Sequence, residues 1–332
     1  MNVDIIILAA GQGKRMQSPL PKVLQSLGGK PLLQHVVDTC SKIEKAKLHI
    51  IVGEQKKLIQ SSISAPKSTN WIVQKKQLGT GHAVKQVLPS LRANSQAVVL
   101  YGDGPLVKIS TLKKLISDMA KNSLILLTFE SANPKGLGRI IRQSNSKVSG
   151  IVEEKDASSF EKQIKEANSG ILATSTKNLK QWLPKLRNNN ASKEYYLTDI
   201  VTLCSSENKK IKAINLGDTS ELLGANDNQE LQNLERIYQK ETALRFLKYG
   251  VKFADINRVD FRGEISIGKN AFIDINVVLE GKVSIGSDSI ISAGAVIRNS
   301  SLGKKIKVEP YSVIENSKIG DNSMIGPFAH IG

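Results

Sequence analysis

From Phe261 onward an apolar residue recurs at every sixth position: Phe261, Ile267, Ile273, Leu279, Ile285, Ile291 and Ile297. The phase slips by one residue to Leu302, Val308 and Ile314, and again to Ile319, Ile325 and Ile331. Small residues often sit four places on, at Ala271, Ser289, Ala295, Ser312, Ser323 and Ala329, with Gly268, Gly286, Gly320 and Gly326 as turn residues. Six-residue periodicity of this kind is the signature of a parallel β-helix. Each face of a coil supplies one aliphatic to the axis, and the coils stack at strand spacing.

The other end of the chain obeys a different rule. Ile5-Ile6-Ile7-Leu8-Ala9-Ala10 is an apolar run of strand length, followed by Gly11-Gln12-Gly13-Lys14-Arg15-Met16 and then Pro21-Lys22. Alanine and glycine let a ligand approach the backbone, and a loop after a strand offers N–H groups to phosphate. Lys14, Arg15 and Lys22 add positive charge. The expectation is a nucleoside triphosphate site at the carboxyl end of the first strand of an α/β sheet. A dinucleotide fingerprint would need a third glycine where Met16 stands, and the Walker spacing is absent. The L-A-A-G-x-G-x-R-M pattern followed by P-K resembles the sugar-nucleotide pyrophosphorylases, or nucleoside-diphosphate-sugar nucleotidyltransferases.

Between these two signals, strands are expected at Leu48–Val52, Trp71–Val73, Ala97–Leu100 and Leu124–Phe129. Helices are expected at Pro31–Cys40 and Lys56–Ile63, and a surface helix at Lys177–Leu186. A hairpin is expected from Arg139–Arg142 and Lys147–Val152, and another strand enters at Asn168-Ser169-Gly170-Ile171. Gln74-Lys75-Lys76-Gln77-Leu78-Gly79-Thr80-Gly81-His82-Ala83 is a second close-approach loop at a helix start. Asp103 follows the strand ending near Leu100, where open α/β sheets place their chemistry. A carboxylate there suits magnesium, which takes few protein carboxylates and keeps waters and phosphates; a helix N-cap is the alternative. Glu230–Tyr249 has helical periodicity, with Leu231, Leu234, Tyr238, Leu244 and Leu247 on one apolar side and Gly250 as its stop.

The resemblance implies roles for these residues. Arg15 and Lys22 act on the phosphates. Leu8, Ala9, Ala10, Gly11 and Lys22 hold the nucleotide, and Gln74, Gly79 and Thr80 read uracil. Tyr101, Gly102 and Asp103 lie at the substrate, with Gly138, Glu153 and Asn168 on the sugar. Asp103 and Asn226 hold Mg²⁺. The stretch Glu194-Tyr195-Tyr196-Leu197-Thr198-Asp199 resembles the family's E-Y-Y-x-T-D, which shapes the sugar pocket; either tyrosine could equally be core. Gly104, Leu137 and Asn228 depart from the family's usual Val, Tyr and Arg.

Taken whole, the chain resembles the bifunctional bacterial N-acetylglucosamine-1-phosphate uridyltransferase/glucosamine-1-phosphate acetyltransferases. That implies a Rossmann-like nucleotidyltransferase domain with a mostly parallel sheet (1–228), a linking helix (229–250) and a left-handed β-helix of hexapeptide repeats (251–332). It implies UTP and N-acetylglucosamine 1-phosphate as substrates, and a homotrimer formed through the β-helix. The family's acetyl-CoA site lies in coils beyond Gly332, and the repeat reaches Gly332 without a capping segment. The chain is therefore expected to be a truncation without acetyltransferase activity. Two rivals are a nucleotidyltransferase for another sugar 1-phosphate and a catalytically silent trimerising scaffold.

Composition narrows the class. The length of 332 residues suggests two domains. The net charge of +17 is spread through the chain and forms no local patch, so nucleic acid is not an expected partner. Cys40 and Cys204 are far apart and fit no metal spacing, which reads as buried thiols in a reducing compartment. The four histidines form no cluster, so no histidine-based metal site is expected. No signal peptide opens the chain and no apolar run approaches membrane length, so the cytoplasm is the expected compartment.

Overall fold

The run that leads into the first loop forms β1 (Val3–Ala9), and all seven residues are buried. A strand buried on both faces needs cover on both, and this chain supplies it by alternating strands with helices. The computed structural model describes residues 2–11, 13–217 and 219–332. After β1 come the hairpin β2 (Ser26–Leu27) and β3 (Lys30–Pro31), then α1 (Leu32–Cys40), β4 (Ala46–Val52), α2 (Lys56–Ser62), β5 (Asn70–Val73) and α3 (Thr80–Lys85). Next are β6 (Gln96–Tyr101), α4 (Ile109–Asp118), β7 (Leu124–Glu130), β8 (Arg139–Arg142), β9 (Val148–Val152) and β10 (Glu166–Ser175). The first region closes with α5 (Thr176–Trp182), α6 (Asp199–Ser206) and β11 (Ile211–Asn215).

The main sheet runs β11-β7-β10-β6-β1-β4-β5. Pairings among β6, β1, β4 and β5 are parallel, as is β11 with β7. β10 is the exception, antiparallel to both β6 and β7. Its register shifts between Asn168 and Leu172, around the left-handed Gly170 (φ 79°). The strand expected to enter at Asn168 thus begins earlier, at Glu166. Side chains alternate between two cores. Ile5, Ile7, Ile50 and Val98 pack with Val36 and Val37 of α1 and Leu112 of α4. Ile6, Leu8, Ile51 and Val99 pack with Val84 of α3, Trp182 of α5 and Ile200 of α6. The expected surface helix at 177–186 is shorter and less exposed than its sequence suggests. Leu179, Trp182, Leu183 and Leu186 are all buried, because one side of α5 and the turn after it covers this core. Both cysteines are buried free thiols.

One buried polar group sits inside the sheet. Asp4 accepts from His49 Nε2 at 2.8 Å and from Arg92 Nε at 3.2 Å. Burial pushes the Asp4 carboxyl up, but the His49 and Ser95 hydrogen bonds and the Arg92 charge outweigh it, so the net direction is down.

The chain divides into two compact units: the residues up to Leu24 with Leu32–Gly224, and Gln25–Pro31 with Ala225–Gly332. The linking helix α7 (Asn228–Tyr249) groups with the β-helix and starts one residue before the expected boundary. Asp227 caps it, accepting from Glu230 N at 2.8 Å, and Gly250 ends it in the left-handed conformation (φ 101°). Its buried face keeps Leu234 of the expected one and otherwise differs. Leu234, Gln239, Thr242, Ala243 and Phe246 point inward, whereas Leu244 and Leu247 are each 39% exposed. A polar residue decides this: Gln239 Nε2 donates to Phe261 O at 2.9 Å and Gln239 Oε1 accepts from Phe261 N at 2.7 Å. The amide thus continues the first coil's hydrogen bonding, and the Phe246 ring follows it onto Phe261 at 5.4 Å.

The repeat folds into a parallel β-helix. Val259 pairs with Val277 and Val278 with Val296, an 18-residue coil; Val296 pairs with Val313 and Val313 with His330, a 17-residue coil. The phase slips in the sequence are therefore single-residue deletions between faces, which leave the stacking of coils intact. The sixth-position residues are buried from Phe261 to Ile314, and Ile319 and Ile331 are partly covered. The corners turn at residues with positive φ, including Asn270, Asp288, Lys305 and Asn322 in successive coils. Gly268 and Gly286 stand at the start of turns, as expected, and have a second purpose. A Cβ on Gly268 would come within 2.4 Å of Ser287 N, and one on Gly286 within 2.3 Å of Gly303 O, so both allow one coil to approach the next.

Candidate active site

The carboxyl ends of β1, β4, β5 and β6 bring four loops to one edge of the sheet, the place where such sheets bind ligands. Leu8 and Ala9 end β1, and Ala10 and exposed Gly11 follow. Leu8 O accepts from Gly102 N at 2.9 Å. A Cβ on Gly102 would meet Leu33 at 3.0 Å and Ala9 at 3.2 Å, so this glycine lets the two loops approach. Gln77 Nε2 donates to Ala10 O, fixing the start of the first loop from the β5 side. That loop closes on itself: Gly13 is left-handed (φ 59°), and a Cβ there would lie 2.6 Å from Lys22 Cβ. Buried Met16 anchors the turn, donating its N–H to Gly13 O at 2.9 Å. Arg15 stands exposed and pairs with no described residue. Gln12 and the Lys14 side chain lie outside the described residues.

Lys22 and Asp103, singled out for different roles, form an ion pair through Nζ and Oδ2, with side chains only 12% and 19% exposed. Gly224 runs beside this carboxylate; a Cβ there would be 3.5 Å from Asp103 Oδ2. Asn226 belongs to the second unit. Its Nδ2 donates to Glu230 Oε2 at 3.0 Å and its N–H to the same oxygen at 2.7 Å, which turns the amide carbonyl away from Glu230. An aspartate carboxylate and an amide carbonyl are hard oxygen donors of the kind Mg²⁺ accepts, with its other places filled by water and phosphate. The donor set fits. Among the described residues no group of three or more His, Cys, Asp or Glu could hold a metal by itself.

Gln74 lies just past β5, almost fully buried. The glycines of its loop serve the protein's own packing. A Cβ on Gly79 (φ 100°) would lie 2.6 Å from Tyr195 O, and one on Gly81 2.9 Å from the same atom. Gly81 N donates to Tyr195 O at 2.8 Å, Tyr195 N to Leu78 O at 2.8 Å, and Leu197 N to Thr80 Oγ1 at 3.1 Å. The E-Y-Y-x-T-D stretch is thus the wall on which the loop is built.

Gly138, Glu153 and Asn168 come together. Asn168 N donates to Gly138 O at 2.8 Å, and a Cβ on Gly138 would lie 3.3 Å from Glu153 Oε2. Glu153 Oε1 accepts from Thr198 Oγ1 at 2.8 Å. Burial pushes the Glu153 carboxyl above the usual range, against the Thr198 hydrogen bond, and Asp156 and Glu194 add to the rise. Burial, with Glu153 and Asp156, pushes Asp199 up to about 6. The Tyr101 ring lies over Gly170, where a Cβ would come 2.0 Å from its edge; burial, then Glu153 and Asp103, raise its hydroxyl. Gln77, His82 and Gly224 escaped the sequence reading as site residues. The first two lie within the loop singled out there, as polar side chains among its glycines.

Residues 5–148 match the profile of the MobA-like NTP transferase domain, and residues 261–332 that of the GMPPB C-terminal domain. The bifunctional protein GlmU of Baumannia cicadellinicola subsp. Homalodisca coagulata is 45% identical over 338 positions, covering 100% of this chain and 72% of that protein. The chain belongs to the GlmU family. GlmU of Marinobacter nauticus is 43% identical over 329 positions, covering 99% of this chain and 72% of its own. Membership in the GlmU family makes the chain a nucleotidyltransferase. Two solved structures share the fold. One, described as a glucose-1-phosphate thymidylyltransferase from Bacillus anthracis in complex with a sucrose, has a TM-score of 0.54 at 20% identity, over 71% of this chain and 94% of that one. A UDP-glucose pyrophosphorylase complexed with UDP-glucose has a TM-score of 0.57 at 17% identity, over 73% and 100%.

Proposed function

We propose that the chain transfers UMP from UTP to N-acetylglucosamine 1-phosphate, forming UDP-N-acetylglucosamine and releasing pyrophosphate. Membership in the GlmU family along the whole chain carries this reading. The sugar phosphate oxygen attacks the α-phosphorus of UTP, and the bond to the β-phosphate oxygen breaks. Such a reaction asks for alignment and charge stabilisation rather than covalent help. Two anions must meet, so cations at short range lower the barrier most. Lys22 takes the α-phosphate region, and exposed Arg15 takes the departing pyrophosphate. The backbone from Leu8 to Gly11 holds the nucleotide, while Gln74, Gly79 and Thr80 receive uracil. Tyr101 and Gly102 border the reacting groups. Gly138, Glu153 and Asn168 take the sugar: Glu153 accepts from a hydroxyl, and Asn168 offers an amide to the acetamido group. Mg²⁺ on Asp103 and Asn226 would supply positive charge to the phosphate oxygens.

On this reading the protein works in the cytoplasm as a trimer formed through its β-helix. No helix among the described residues is long and apolar enough to cross a membrane. The test follows pyrophosphate release from UTP and Mg²⁺ with N-acetylglucosamine 1-phosphate, glucose 1-phosphate and glucosamine 1-phosphate in parallel. Fast release with the acetylated sugar alone is expected. Release with glucose 1-phosphate instead would keep the reaction and discard the substrate. Folded protein inactive with every sugar would point to a silent scaffold.

A further inference from the structure

Gln74 is only 4% exposed, and both hydrogen bonds of its amide leave from Nε2: one to Gly79 O at 3.2 Å, one to His82 Nδ1 at 3.0 Å. A carbonyl oxygen cannot donate, so the atom facing Gly79 O must be the amide nitrogen. The same nitrogen then makes His82 Nδ1 an acceptor, which places the imidazole proton on Nε2. Gln86 Nε2 donates to His82 O at 3.2 Å and stands as close to the ring Nε2, so that side of the ring offers no acceptor and the contact that orients the Gln74 amide is the one at Nδ1. No described residue bonds Gln74 Oε1, and this oxygen is not among the enclosed polar atoms left without a partner. It is therefore the atom offered to a ligand.

We propose that His82 is a positioning residue for base selection: it holds the Gln74 amide so that Oε1 faces the pyrimidine. The proposal rests on the reading of Gln74 as the base contact. Uracil carries a donor at N3–H, which Oε1 accepts. Cytosine carries a lone pair at the same atom, which Oε1 repels. An amide turned over would offer Nε2 and favour cytosine. Burial, then Lys85, keep the imidazole below its usual range, in keeping with a neutral ring.

The test compares kcat/KM for UTP and CTP, with N-acetylglucosamine 1-phosphate, in the native protein and in Gln74→Leu, His82→Phe and His82→Asn. His82→Phe removes the acceptor; His82→Asn restores one where Nδ1 stood. The UTP-to-CTP ratio is internal to each sample and independent of the fraction folded. His82→Phe is expected to lower the ratio at least about tenfold, and His82→Asn to recover most of it. Equal losses with both nucleotides in His82→Phe, or no recovery in His82→Asn, would overturn the role of His82 while leaving the base site standing. An unchanged ratio in Gln74→Leu would overturn the base site itself, and the proposal with it.

Discussion

Replacing Gln239 by leucine tests the side chain that sets the rotation of α7. Gln239 and Phe261 are 2% and 1% exposed, and the amide satisfies both backbone groups of Phe261 at 2.9 and 2.7 Å. Leucine keeps the approximate volume but leaves a buried N–H and a buried C=O unpaired, at about 1–3 kcal/mol each. Added apolar burial offsets about 1–2 kcal/mol, so a net loss of about 2–4 kcal/mol is expected. Both tryptophans, Trp71 and Trp182, belong to the first unit, so their fluorescence does not report directly on α7. The readout is urea unfolding by far-UV circular dichroism, together with hydrogen exchange at the Phe261 amide, which should accelerate by about 30-fold or more. A companion, Gln239→Glu, separates hydrogen bonding from shape. Protonated, its hydroxyl donates to Phe261 O as the amide did. Ionised, it sets a carboxylate against that carbonyl and against Glu235 Oε1, which lies 2.7 Å from Gln239 Nε2. Its folded pKa is therefore raised, and its stability relative to the native protein should fall as pH rises. A loss under about 1 kcal/mol in Gln239→Leu, or a pH-independent Gln239→Glu, would refute the reasoning.

Three further outcomes are expected. Asp103→Asn removes the carboxylate that pairs with Lys22 and should lower kcat at least about 100-fold in the pyrophosphate assay; near-normal turnover would take Asp103 out of the metal role. Asp199, raised to about 6 by burial and its acidic neighbours, costs nothing below about pH 4 and its full penalty above pH 6. Asp199→Asn should therefore stabilise the protein by about 1–3 kcal/mol at pH 8 and leave it unchanged near pH 4, as followed by thermal unfolding. Gly170→Ala drives a Cβ to 2.0 Å from the Tyr101 ring at a left-handed position, so a loss of about 2–4 kcal/mol in denaturant unfolding is expected.

The β-helix was legible because its rule is periodic. One inward aliphatic per face is enough to stack coils, and a deletion of one residue changes the phase without moving the core. The first strand was legible for a related reason: a short apolar run bounded by glycines already specifies a buried strand and the turn that follows it. Neither kind of signal reaches across the chain. Sequence alone could not show that Lys22 pairs with Asp103, or that β10 enters the parallel sheet in the opposite sense. Nor could it show that Gly79 and Gly81 clear space for Tyr195. The face of α7 was misjudged because apolar spacing favoured Leu244 and Leu247, while a polar residue, Gln239, had the stronger claim to the interior. Local pattern determines which element a segment forms and which residue types meet a ligand. Which of two polar atoms faces that ligand, and which side of a helix is buried, depends on partners dozens of residues away, because a buried donor or acceptor must be satisfied wherever the fold leaves it.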